Sequence, residues 1–229
     1  MEKDRGSEFE IGEKNQVRRV SRRASYSRAE VYSILDRALV GQVGFVSGNG
    51  PFIIPMLFAR DGDRLLLHGS TKSRLMLAII SGQDLCFSVT HLDGLVLAKS
   101  LFHHSMNYRS ATCFGVGSEI KDPGQRMDGL RIISEKVMPG RWNDARKPLD
   151  KEMKATCVAA ITIQSASAKI RTGGPIDEPE DHSLPVWAGV VPLTTTVGEP
   201  VPGEHSQSSE PDYMNHCRHA FNQSASSDE

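Results

Sequence analysis

A mainly β (α+β) domain, a barrel or sandwich with peripheral helices, is the architecture expected of this 229-residue chain. Three observations lead there. Seven or more short apolar runs of strand length recur between residues 40 and 172, bounded by Gly, Asp and Asn turn signals. Segments of helical spacing are few and do not alternate regularly with the strands, which argues against a doubly wound parallel sheet. Neither G-x-G-x-x-G nor G-x-x-x-x-G-K-[ST] occurs, so neither a dinucleotide fold nor a P-loop is supported.

The first 25 residues are polar and charged and read as a disordered, solvated tail. Within it, Arg18-Arg19-Val20-Ser21-Arg22-Arg23-Ala24-Ser25 is a basic stretch that would also suit a kinase site or a contact arm. The folded domain spans residues 26–193. It opens with Ser27-Arg28-Ala29-Glu30, a capping-box pattern, followed by Val31, Ile34, Leu35 and Ala38 at helical spacing, which predicts a helix over 28–38. Residues 40–47 form an apolar strand and Gly48-Asn49-Gly50 a hairpin turn. Strands over 52–59 and 64–68, separated by Asp61-Gly62-Asp63, complete a three-stranded meander.

A helix over 71–81 interrupts the strands, which resume at 85–91, turn at Asp93-Gly94, and continue at 95–100 and 108–120. Asp122-Pro123-Gly124 opens a helix to about residue 138, with Leu130, Ile133 and Val137 on one face, and Pro139-Gly140 stops it. A short helix at 151–155 and two strands at 156–163 and 168–172 follow. From residue 194 to 229 Pro, Gly, Ser, Glu and His dominate, and this stretch reads as a largely disordered tail.

Composition narrows the function. A net charge of −1 argues against a general nucleic-acid binder, which needs a basic excess to release counterions. No apolar stretch approaches the roughly 18–20 residues of a membrane span, and no apolar core follows the charged start, so neither a membrane nor a secretory signal is expected. The four cysteines are scattered without a C-x-x-C pair, so neither a zinc ribbon nor a redox dithiol is indicated. A cytoplasmic location follows as the default.

Chemistry concentrates in a few motifs. Residues 65–76 run from a hydrophobic strand through a polar turn, His68-Gly69-Ser70-Thr71-Lys72-Ser73-Arg74, into a helix. Two cations and free backbone N–H groups at such a turn suit a phosphate, with Ser70 or Thr71 capping the helix and Lys72 and Arg74 facing the anion; a plain helix cap with solvated cations fits the same residues. In His103-His104-Ser105-Met106-Asn107-Tyr108-Arg109-Ser110, adjacent strand histidines would point to opposite sides, which disfavours a metal. The polar residues there suit a ligand rim. In Lys169-Ile170-Arg171, alternation puts two cations on one strand face, opposite an anion or solvent. Trp142 and Trp187, the only tryptophans, would cover a flat ring or pack in the core. No nucleophile elbow or paired-carboxylate dyad stands out, a profile that suits a protein whose cofactor does the chemistry.

Taken in order, Leu67-His68-Gly69-Ser70 with Ser73-Arg74, Phe102 to Ser110, Pro139-Gly140-Arg141-Trp142, Lys169 to Gly173, and Trp187-Ala188-Gly189-Val190 resemble the pyridoxamine 5′-phosphate oxidase-like flavin proteins, in the branch that includes nitroimidazole-resistance proteins. The resemblance runs over residues 31–193. It implies an FMN-binding split β-barrel of six to eight antiparallel strands, working as a homodimer with two FMN sites at the interface. It further implies that Ser70, Thr71, Lys72, Ser73 and Arg74 hold the FMN phosphate, and that Ile53, Ile54, Pro55 and Met56 lie along the isoalloxazine. Asn107, Tyr108, Arg109 and Ser110 would complete the pocket, with Lys169, Arg171 and Trp187 beside it. His68 is associated with the active site in that branch, and is the one tentative catalytic residue; in ordinary FMN binders it would pack beside the turn. The pyridoxal-phosphate pattern of the oxidase subfamily is missing near the C-terminus, so vitamin B6 oxidation is not implied. The expected function is an FMN-dependent oxidoreductase taking electrons from a reduced nicotinamide and passing them to a small planar acceptor. A flavin-binding carrier or sensor without turnover is the alternative. A haem-binding relative, with His68, His91, His103 or His104 as axial ligand, is the third.

Overall fold

The computed structural model describes residues 6–48 and 50–226. Asn49 of the expected hairpin turn, and residues 1–5 and 227–229 of the expected tails, lie outside the described residues. Nine strands form one antiparallel sheet: β1 (Ala24–Ser25), β2 (Val40–Ser47), β3 (Gly50–Leu57), β4 (Ala59–Asp61), β5 (Arg64–Ser70), β6 (Asp84–Leu97), β7 (Ser105–Glu119), β8 (Thr156–Arg171) and β9 (Gly189–Pro192). The main path runs β3-β2-β6-β7-β8-β5-β4, with β1 added to β8 and β9 to β6. The sheet curls into the expected split barrel. Six helices surround it: α1 (Arg28–Arg37), α2 (Arg74–Ile80), α3 (Pro123–Val137), α4 (Arg141–Asp144), α5 (Asp150–Ala155) and α6 (Asp212–Ser226).

The concave side holds the main core. Val31, Ile34 and Leu35 of α1 and Leu75, Met76, Ala78 and Ile79 of α2 pack there against Val43, Phe45, Leu65, Leu67, Phe87, Ala159 and Ile161. A smaller core lies behind β4, β5 and β8, where α3 seats Ile133 on Ala59, Leu66, Val158 and Ala160. Strands β5 and β8 are thus covered on both faces, which is why their sequences read as unbroken apolar runs and not as alternation.

Several expectations change. The three-stranded meander does not form: β3 pairs only with β2, while β5 leaves for β8, in register from Arg64↔Thr162 to Ser70↔Thr156. The short strand β4 makes that crossing and pairs with β5. Asp93-Gly94 is no turn but a bulge inside the 14-residue β6, and the two strands expected at 156–172 are one strand, β8, with a matching irregularity opposite Phe114/Gly115. A bulge bends a long strand without ending it, and barrels need such corners. At Gly115 a Cβ would stand 1.9 Å from the Thr162 carbonyl oxygen, so the bend admits only glycine. Helix α1 starts after Ser27 as expected, but the Ser27 hydroxyl makes no capping bond. In α3, Asp122 does cap, accepting from the Gln125 N–H at 2.8 Å.

Neither tail is structureless over its described residues. Phe9 is 2% exposed and belongs to the main core, and Asn15 donates to the Glu10 and Ala166 carbonyls. Arg28 lies 4.1 Å over the Phe9 ring while donating to Tyr32 and Asp63, which ties this arm to α1 and the β4–β5 turn. At the other end α6 docks on α4 through Tyr213, whose hydroxyl donates to Asp144 at 2.7 Å. Among the described residues no helix is long and apolar enough to cross a membrane.

Candidate functional site

The convex face of the sheet decides where a ligand can lie. Cross-strand registers put Val40, Gln42 and Val46 of β2 beside Leu57, Pro55 and Pro51 of β3, then Ser88 and Thr90 of β6, Ser110 and Thr112 of β7, and Ser167 and Lys169 of β8, all on one side. The face is therefore graded. It is apolar at β2–β3, where Ile53 is 74% exposed, hydroxyl-rich in the middle, and cationic at the end of β8. β3 ends the strand order, so among the described residues one side of its backbone has no strand partner. Of the four residues expected along the ring, Ile53 and Pro55 face the convex side, whereas Ile54 and Met56 alternate inward and pack on the main core.

The β5–α2 turn borders this strand. Ser73, not Ser70 or Thr71, occupies the N-cap of α2, with extended backbone and no side-chain capping bond. The Ser70 hydroxyl instead accepts from the Lys72 N–H at 3.3 Å, and the Thr71 N–H donates to the Ala155 carbonyl. That fold-back leaves Lys72 and Arg74 on an open groove of about 580 Å³, lined also by Ser47, Leu77, Ser81 and Gln83. The Arg74 guanidinium lies 4.6 Å over the Phe52 ring, and among the described residues neither Lys72 nor Arg74 forms an ion pair. Two uncompensated cations on one concave surface are chemically suited to an anion. Sequence reasoning did not find Ser47, Phe52, Ser81 or Gln83, because the register of β2–β3 and the α2–β6 turn, and no local motif, bring them there.

His68 lies two residues before Ser70. Leu65 and Leu67 point into the main core and Leu66 into the smaller one, so His68 continues the outer side, opposite Val158. Its Nδ1 is buried without a hydrogen-bond partner, and burial lowers its pKa below the usual histidine range. A neutral imidazole lacking one partner is suited to taking a ligand.

The remaining expected residues gather at the far end of β7 and β8. Tyr108 pairs with Arg171 and Ser110 with Lys169, and the Ser110 hydroxyl donates to the Lys169 carbonyl at 3.2 Å. Arg171 is only 5% exposed and donates to Asn107 and to the Gly173 and Gly174 carbonyls. Arg109 forms a two-pronged ion pair with Asp93 at the β6 bulge, at 2.8 and 3.0 Å. His103 and His104 lie in a 3-10 turn and its cap, not in a strand, and the His104 ring contacts the Ala98 carbonyl at 3.2 Å. Trp187 is 65% exposed, its ring against Gly189. Among the described residues no group of three His, Cys, Asp or Glu side chains is placed to hold a metal.

The structure thus brings together two clusters and keeps them apart. Ser70 faces Thr156 at one end of β8, and Lys169 lies near the other. At about 3.3 Å per residue that is roughly 40 Å along the strand.

A family model described as pyridoxamine 5′-phosphate oxidase matches residues 27–170, and the chain belongs to that family. The flavocytochrome Anf3 from Azotobacter vinelandii is 36% identical, over 90% of this chain and 96% of its own, with a TM-score of 0.85. A FAD and heme binding protein from Mycobacterium smegmatis is also 36% identical, over 85% of this chain and 96% of its own, with a TM-score of 0.80. A candidate 5-nitroimidazole antibiotic resistance protein from Bacteroides thetaiotaomicron shares the fold at 21% identity and a TM-score of 0.54, over 64% of this chain and 86% of its own. No curated protein matches the sequence.

Proposed function

We propose that this chain is a redox protein that binds a flavin at the β5–α2 turn, between two copies of itself, and carries a haem as a second group. The observation that carries the flavin reading is the pair Lys72 and Arg74 on one open groove without a carboxylate against either. Arg74 would hold the phosphate by a charge-assisted fork, with Lys72 and the Ser73 hydroxyl adding donors. The unpaired backbone of β3 would meet the polar edge of the ring, and the hydroxyl-rich convex face would bear on it from a partner subunit. A flavin supplies one- and two-electron chemistry and a haem one-electron chemistry, so the protein's part is to bind, orient and shield.

FMN is what the family resemblance implies, while the FAD and heme binding protein from Mycobacterium smegmatis, at 36% identity, points to FAD. The groove runs past the turn over Leu77, Ser81 and Gln83, leaving room for the longer molecule, and FAD is the flavin we favour. For the haem, His91 already contacts the Ile34 carbonyl at 3.0 Å, His104 contacts that of Ala98, and His103 faces Glu178 at 3.6 Å. His68, with its unpartnered Nδ1 and burial-favoured neutral ring, is the residue that would hold the haem iron.

The test is the absorption spectrum of the purified protein, with acid release and chromatography of each chromophore. A flavin band plus a Soret band is expected, and Arg74→Ala lowers flavin affinity at least tenfold. A colourless protein that takes up no added flavin overturns the reading, and unchanged affinity in Arg74→Ala means the turn is the wrong one. A reduced nicotinamide is the expected donor: anaerobic NADH or NADPH then bleaches the flavin band.

A further inference from the structure

We propose that Arg23, Lys169 and Arg171 form a second anion site, which takes the phosphate groups of a nucleotide. Lys169 and Arg171 are residues that the family resemblance sets beside the flavin; Arg23 and a phosphate role are what the flavin reading does not assign, and pyrophosphate binding reads out apart from that reading. Arg171 is a buried cation whose described partners are all neutral: the Asn107 amide oxygen and the Gly173 and Gly174 carbonyls. Its Nε is buried and bonded to nothing. Among the described residues none of these three cations forms an ion pair with a carboxylate. A buried charge left this way is costly unless an anion accompanies it.

The amino-terminal arm makes the imbalance worse. β1 pairs Ala24 with Lys169 and Ser25 with Ala168, which sets Arg23 beside the end of β8. Burial lowers the Arg171 pKa, and Arg23 is near enough to lower it further by repulsion. The arm reaches this position through a left-handed Val20, φ 53° and ψ 55°, closed by the Arg23 N–H on the Val20 carbonyl at 3.0 Å. A β-branched residue rarely adopts that conformation, and such strain tends to persist where it positions functional groups. No acid lies between Glu13 and Glu30 to offset the arm's arginines. Lys169 and Arg171 share the convex face with Ser167, whose hydroxyl stands on the same side as the cations. Three cations suit a multiply charged phosphate better than a single carboxylate.

Titration calorimetry with inorganic pyrophosphate tests this on the full-length Arg74→Ala chain, where the turn's charge is removed. One saturable site per chain is expected, weakened at least tenfold by Arg23→Gln, partly restored by Arg23→Lys, and unmoved by Arg18→Gln with Arg19→Gln. Lys169→Gln, on a half-exposed side chain, gives a second weakened variant should Arg23→Gln disturb the arm. If FAD but not FMN blocks pyrophosphate in the parent chain, the occupant is the second phosphate of the flavin; if neither blocks it, the occupant is a separate nucleotide. Both outcomes keep the site. No saturable binding, or binding equal with and without Arg23 and Lys169, overturns it, whatever the outcome for flavin.

Discussion

His68 and Arg74 are six positions apart in sequence and serve opposite sides of the sheet, because β5 ends between them and the chain turns back into α2. His68→Ala should therefore remove the Soret band and leave the flavin band, the reverse of Arg74→Ala; loss of both bands from His68→Ala would mean one site, not two. The same burial gives a pH signature. It lowers the folded-state pKa of His68 below the ordinary histidine value of 6.5. Between those two values the unfolded chain binds more protons than the folded one, so stability present above pH 6.5 is lost as pH falls through the folded value. Urea midpoints at pH 7.5 and pH 5 should differ more for the parent chain than for His68→Gln, and equal differences would show a solvated ring. At Cys113, by contrast, burial pushes the thiol pKa up to about 12. That sulfur is core packing and not a reactive group.

The strand segments were legible as elements and illegible as neighbours. β2, β5, α3 and α5 appear within a few residues of where periodicity and turn signals set them. What local pattern cannot carry is pairing: Asp93-Gly94 has the composition of a hairpin turn, yet it serves as a bulge because β7 runs alongside on both sides of it. The Ser70 to Arg74 segment was legible as a strand-to-helix turn because its residues are consecutive. Phe52, Gln83 and Arg23 were not, since register and crossings place them. The amino-terminal arm was misjudged for a related reason: its composition is that of a tail, and a single Phe9 in the core outweighs it. Phe9→Ala should cost about 3–5 kcal/mol in chemical denaturation, the range for emptying a large aromatic from a core. A value near zero would return the arm to a solvated tail. Gly115→Ala tests the barrel corner in the same assay, with roughly 1–3 kcal/mol expected from overpacking against the Thr162 carbonyl.

At the scale of the whole molecule, the two clusters on one sheet are too far apart for one flavin to touch both within a chain. Two copies resolve this if their convex faces meet. Val40, Val46, Ile53 and Leu57 form an exposed apolar patch on the β2–β3 side of that face, and a monomer in water gains nothing from it. A two-fold contact would bury the patch and bring the β7–β8 end of one copy toward the β5–α2 turn of the other. Ile53→Lys puts a charge in the middle of the patch while leaving Arg74 and the main core untouched, since Ile53 points away from both. Sedimentation should then give a monomer, and flavin affinity should fall with dimerisation although each chain keeps an intact phosphate turn. A monomer that binds flavin as tightly as the parent would confine the site to one chain. A dimer that survives the substitution would mean that another surface joins the copies, and the graded face would need a different occupant.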